Sequence, residues 1–185
     1  SFFLFFDALI SVDDGAGQLA KSMNMTYSEA IGTQQELTSM AASSFDVALN
    51  TKNLSETLMF VGKQLGSNAK LNEADLKTFT KLREQAGYTN EELASMQRLT
   101  LAVGGNLEGN VKSFAGTVAK LNLQNKLTIN EKQLLKDVAK TSDAIKLSVG
   151  GTAENIAKAA FKAKQFGISL EQADQISQGL LNFED

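Results

Sequence analysis

Four short patterns in this 185-residue chain have the residue types and spacing of known chemistry. Gly15-Ala16-Gly17-Gln18-Leu19-Ala20 fits the loose G-x-G-x-x-A pattern of a dinucleotide loop, and Leu9-Ile10-Ser11-Val12 stands before it in the place of a strand. Such a loop brings backbone N–H groups and a helix N-terminus up to a pyrophosphate, and it requires a β-α-β unit. No later parallel strand is readable, so a Gly-softened kink between helices is the preferred reading. Ser67-Asn68-Ala69-Lys70 has the spacing of a Ser-x-x-Lys nucleophile pair, but its companion motifs are absent and the run reads as a turn. Asp13-Asp14 and Glu91-Glu92 are adjacent acids. A glycosidase needs two carboxylates facing one another across a cleft, whereas neighbours on a helix start do not face each other. Charge placement at helix N-termini accounts for both pairs. Lys132, Lys136 and Lys140 recur every four residues, with Asp137 and Asp143 nearby, and read as a solvated helix face rather than a phosphate site.

Composition removes most other chemistry. The chain contains no Pro, Cys, His or Trp. Without Cys and His it has no disulfides and lacks the usual ligands of zinc, copper, haem and iron–sulfur clusters. It also lacks the side chains most used as nucleophile or as general base near neutral pH. No cofactor, metal or catalytic residue is therefore expected, and an envelope-degrading enzyme would need distant carboxylates to converge. A formal charge of −3, from 18 basic and 21 acidic residues, gives no electrostatic case for specific nucleic-acid binding.

The elements that would position any such group are helices. Leu54, Leu58, Val61 and Leu65 recur at helical spacing, as do Val111, Phe114, Val118 and Leu121, then Leu134, Val138, Ile145 and Val149, then Ala173, Ile176, Leu180 and Phe183. An all-α chain of about nine helices follows, with boundaries near 3–22, 26–44, 53–65, 72–86, 90–103, 107–121, 130–148, 152–166 and 170–182. Further starts are signalled by Asn53, Asn72, Thr128 and Thr152.

One junction recurs three times: a helix stop, an apolar residue, then a capped helix start. Asn24, Thr26 and Glu29 form the first, Gly87, Thr89 and Glu92 the second, and Gly167, Ser169 and Gln172 the third. Gly or Asn can take the left-handed conformation that ends a helix, and Thr or Ser with Glu or Gln three residues on makes a capping box. The chain is thus built as helical hairpins. Leu101-Ala102-Val103-Gly104-Gly105-Asn106-Leu107-Glu108 also resembles Leu147-Ser148-Val149-Gly150-Gly151-Thr152-Ala153-Glu154, 46 residues on. A two-helix repeat of about 40–46 residues is in the size range of helical solenoids. It divides the chain into 1–50, an N-terminal segment outside the repeat, and 51–185, the hairpin-repeat region. Ser39–Ser44 is the expected hinge. Phe2, Phe3, Phe5 and Phe6 would present apolar surface all around a helix and are the expected self-association contact. The first residue is not Met, and the last apolar stripe runs to Phe183. An excerpt of a longer chain is expected.

Asn24-Met25-Thr26-Tyr27-Ser28-Glu29-Ala30, Gln85-Ala86-Gly87-Tyr88-Thr89-Asn90-Glu91-Glu92-Leu93 and Ala119-Lys120-Leu121-Asn122-Leu123-Gln124-Asn125-Lys126 resemble stretches of bacteriophage tail tape measure proteins. So does the helical composition, poor in Pro and Cys. The resemblance implies a structural virion protein in the tail lumen or at a tail end, which sets tail length, organises tube assembly and leaves during genome ejection. It implies homo-oligomers, tail tube and baseplate or hub proteins as partners, and the host envelope at ejection. It carries no catalytic residues to these positions. A ruler needs long continuous helices, at 1.5 Å per residue, so a segment cut by helix stops is expected to be a hairpin-folded region rather than the rod. The alternative is a helical-repeat adaptor without catalytic activity that binds proteins on a concave face.

Overall fold

Apolar residues at i, i+3, i+4 and i+7 spacing must be withdrawn from water on one side of each helix, and the arrangement follows from how those sides pair. A computed structural model describes residues 14–65 and 71–181. Among them the chain is all-helical, with no strand. Two compact units divide it, Ser1–Asn90 and Glu91–Asp185. The division near residue 50 rests on repeat similarity, a different criterion from packing.

In the first unit α1 (14–23) buries Ala16, Leu19 and Met23, and α2 (Tyr27–Ala42) buries Ala30 and Leu37. Helix α3 (Thr51–Leu65) buries Leu54 and Val61 and packs on both α2 and α4 (Glu73–Gln85), which buries Leu76 and Phe79. Polar groups between α3 and α4 are paired, as burial requires: the Thr80 hydroxyl donates to Thr57 Oγ1 at 2.9 Å. Arg83 donates to Asn53 O at 3.2 Å and lies 3.6 Å from Glu56, tying the end of α4 to the start of α3.

The second unit holds α5 (Asn90–Val103, its first residue at the boundary), α6 (Leu107–Asn125), α7 (Glu131–Ala139), α8 (Asp143–Ser148), α9 (Ala153–Gln165) and α10 (Leu170–Leu181). Its most extensive packing joins α6 to α9, and α7 and α10 also pack on α9. Helix α6 buries Leu107, Val111, Phe114 and Val118, while α9 buries Ile156, Phe161 and the small residues Ala153, Ala157, Ala160 and Ala163. Alanines on one helix let the other come close. The repeat read from sequence places α6 and α9 in equivalent positions, so the second helix of one copy packs on the second helix of the next. Lys112 pairs with Glu108, and 46 residues on, Lys158 pairs with Glu154.

Four expected boundaries shift. The helix expected over 130–148 is two helices, broken after Ala139. The Thr141 N–H turns back to Val138 O at 3.0 Å, its hydroxyl donates to Asp137 O, and Ser142 is extended and caps α8. These local bonds compete with helix continuation. The helix expected over 107–121 runs one turn further, to Asn125. Lys126, at φ 52° and ψ 43°, is its left-handed stop, a conformation composition does not advertise at a Lys. Starts expected at Asn53 and Thr128 move to Asn50 and Asn130, whose side chains accept from Asn53 N at 2.9 Å and Gln133 N at 3.0 Å. Between the last pair, Asn122 holds the 126–130 loop by donating to Ile129 O and accepting from Ile129 N, both at 2.9 Å. Phe2, Phe3, Phe5, Phe6 and the Ser67–Lys70 motif lie outside the described residues.

Candidate functional site

The three junctions are built by main-chain geometry first. Asn24 sits at φ 53°, Gly87 at 68° and Gly167 at 74°, the left-handed region where the chain can leave a helix at low cost. The next N–H closes the stop: Met25 N donates to Ala20 O at 3.1 Å, and Ile168 N to Ala163 O at 3.1 Å. At the middle junction Tyr88 N reaches one residue further, to Leu82 O at 3.2 Å. The following starts are reciprocal in two cases. Thr26 N donates to Glu29 Oε2 at 2.8 Å, while Glu29 N donates to Thr26 Oγ1 at 3.3 Å. Ser169 N donates to Gln172 Oε1 at 2.8 Å, while Gln172 N donates to Ser169 Oγ at 3.1 Å.

The candidate chemistry fares differently. Residues 15–20, the glycine pattern, lie inside helix α1, so neither a phosphate-cradling loop nor the expected kink between helices stands there. Gly15 instead permits close approach: a Cβ on it would stand 2.7 Å from Gln34 Nε2. Glu92 is 4% exposed and lies 3.3 Å from Lys136 Nζ. One member of the basic stripe thus neutralises a buried carboxylate, and Lys164 reaches Asp137 at 3.5 Å. Nothing in the sequence marked Glu92 as buried, because a helix-start Glu is ordinarily solvated. Among the described residues no group of three or more Asp or Glu is placed to hold a metal ion, and no helix is long and apolar enough to cross a membrane.

The feature that sequence reasoning missed is the loop between α2 and α3. Phe45 and Val47 are 107% and 90% exposed, on either side of Asp46. Asp46 fixes the loop: its N–H donates to Ser44 Oγ, its Oδ1 accepts from Ala48 N at 3.0 Å and from Gln85 Nε2 at 2.8 Å, and Lys81 Nζ lies 3.2 Å from its Oδ2. Asn50 and Asn53 donate side-chain N–H groups to Val47 O and Ala48 O. The expected hinge, Ser39–Ser44, stops just short of this loop, and its residues 39–42 are the last turn of α2; two exposed apolar side chains on a loop held this tightly are not foreseen there. The Ala48 N–H, then Lys81, hold the Asp46 carboxyl below its usual value of 3.8.

A depressed folded-state value means that the loop contacts of Asp46 are complete above the unfolded value and are lost as pH falls through the folded one. The Ala48 amide proton shift, followed by NMR, should titrate with a midpoint below 3.8 and should not titrate in Asp46→Ala. A midpoint at or above that value would contradict the assignment of Asp46 as the loop's clasp.

Two open clefts of the first unit adjoin α1. One, of about 580 Å³, is lined by Gln18, Lys21 and Ser22 of α1 and Met59, Phe60 and Lys63 of α3. The other, of about 860 Å³, is mostly polar in its lining residues, including Asp14, Gln34, Asn50 and Ser55. The second also holds Ser55, Lys52 and Glu56, but the two charged groups pair with each other at 3.9 Å, whereas covalent catalysis needs a base hydrogen-bonded to the nucleophile. No family model matches this chain, and no curated protein and no solved structure matches it either.

Proposed function

We propose that this chain is a hairpin-folded structural region of a bacteriophage tail tape measure protein, acting through contacts with its own copies and with tail tube and hub proteins. The observation that carries the reading is the set of helix junctions at Asn24, Gly87 and Gly167, two of them within the quoted stretches that resemble that family. Left-handed stops closed by main-chain bonds favour a folded region near one end of such a protein over its extended rod. A chain of hairpins, one of whose central helices buries mostly alanines, suits a scaffold better than a catalyst.

Antibody raised against this chain and applied to opened virions of the encoding phage, with gold labelling and electron microscopy, tests the reading. Label on the tail or at a tail end is the expected result. Label absent from virions, with the protein recovered from the host cytoplasm in complex with a client, would replace it by the adaptor reading. In the parent protein, in-frame removal of a stretch of continuous helix should shorten the tail by about 1.5 Å per residue. Removal of the α9–α10 hairpin should not shorten it in proportion.

A further inference from the structure

The exposed loop and the smaller cleft fit each other in chemistry but not in one molecule. Phe45 and Val47 project from the start of α3, whereas Met59, Phe60 and Lys63 of the cleft lie in its last half. Nine residues separate Thr51 from Phe60, which is about 14 Å along the helix axis. No molecule can seat its own loop in its own cleft. We propose that the Phe45–Asp46–Val47 loop of one copy docks into the Gln18/Lys21/Ser22/Met59/Phe60/Lys63 cleft of a second copy, head to tail.

Three observations choose a second copy as the occupant. The cleft floor offers an aromatic ring and a thioether, Phe60 and Met59, the surfaces that an incoming phenyl ring packs on best. Among the described residues its charged lining is cationic, Lys21 and Lys63, and the apolar pair of the loop flanks an acid, Asp46, whose side chain remains 23% exposed beside Lys81. The cleft volume of about 580 Å³ exceeds the space that one Phe and one Val side chain fill. The loop is also preorganised by its six side-chain hydrogen bonds, so docking forfeits little conformational entropy. Because the two surfaces differ, the contact is heterologous. It closes into a ring if the rotation allows and otherwise extends as a filament. This assembly does not depend on the phage reading.

The absence of Cys from the chain makes the test clean. Ser43→Cys, beside the loop with Phe45 retained, and Ser22→Cys each alter an exposed side chain, and each full-length variant is checked by circular dichroism for native helicity. Mixed in equal amounts and treated with a short bis-maleimide, they should give a covalent dimer at least tenfold above either variant alone. In sedimentation velocity, Phe45→Asp should weaken self-association of the otherwise unchanged chain by at least tenfold. Mixed cross-linking no higher than that of the single variants overturns the proposal. So does dominant cross-linking of Ser43→Cys to itself, which would signify a symmetric loop-to-loop contact, or unchanged association in Phe45→Asp.

Discussion

Phe114→Ala should destabilise the second unit by about 3–5 kcal/mol, the usual range for removing a fully buried phenyl ring. Phe114 is 0% exposed and lies in the α6 stripe that packs on α9. Helix α9 cannot compensate readily. Four of the six residues it buries are alanines, Ala157 and Ala160 among them, and such small side chains have no rotamers to swing into a void. The cavity therefore persists, and the cost includes lost packing as well as lost transfer energy. Leu123→Ala is the internal control, since Leu123 is on the same helix but 82% exposed, and surface changes of this kind stay within about 0.5 kcal/mol. Urea unfolding of both variants checks the contrast. Equal losses, or a loss under about 1.5 kcal/mol for Phe114→Ala, would mean that α6 and α9 do not form the centre of this unit.

That centre was half legible in sequence. The stripe Val111, Phe114, Val118 follows from spacing alone, and so does the equivalence of α6 and α9 through the Gly-Gly junctions 46 residues apart. Sequence does not reveal that most of the residues α9 buries are alanines, because Ala is apolar enough for a core and small enough for a surface. Helix breaks were legible where Gly or Asn supplied them and illegible elsewhere. Lys126 adopts a left-handed stop, and Thr141 and Ser142 end α7 and start α8 through side-chain bonds to the backbone, a competition that residue type only weakly biases. The candidate site was the least legible part. Phe45 and Val47 read as ordinary apolar residues flanking a loop, and only the ring of hydrogen bonds around Asp46 turns them outward together.

Gly150→Ala should cost about 2–3 kcal/mol, whereas Gly104→Ala, at the equivalent place in the other copy, should cost only about 1 kcal/mol. The two glycines occupy the same position in a repeated Gly-Gly junction, but their surroundings differ. Gly104 sits at φ 81° with nothing within 4 Å of an added Cβ, so Ala there meets only the backbone penalty of a left-handed residue. Gly150 sits at φ 112°, outside the left-handed helical well, and an added Cβ would stand 2.5 Å from Asn155 Nδ2 and 3.3 Å from its Cβ. Rotating the Asn155 amide clears the first contact but not the second, and Asn155 N is held by the Thr152 cap at 3.1 Å. Strain is therefore passed to the start of α9, the helix on which α6, α7 and α10 pack. The double variant Gly150→Ala/Asn155→Ala separates the causes, since it removes the whole amide, Nδ2 at 2.5 Å and Cγ at 3.2 Å, and leaves the dihedral cost with only the Cβ contact at 3.3 Å. It should recover about 1 kcal/mol relative to Gly150→Ala, within the range for relieved overpacking. Equal costs at Gly104 and Gly150, or no recovery in the double variant, would show that the two junctions are conformationally interchangeable. The 46-residue repeat would then extend to backbone strain as well as to helix placement.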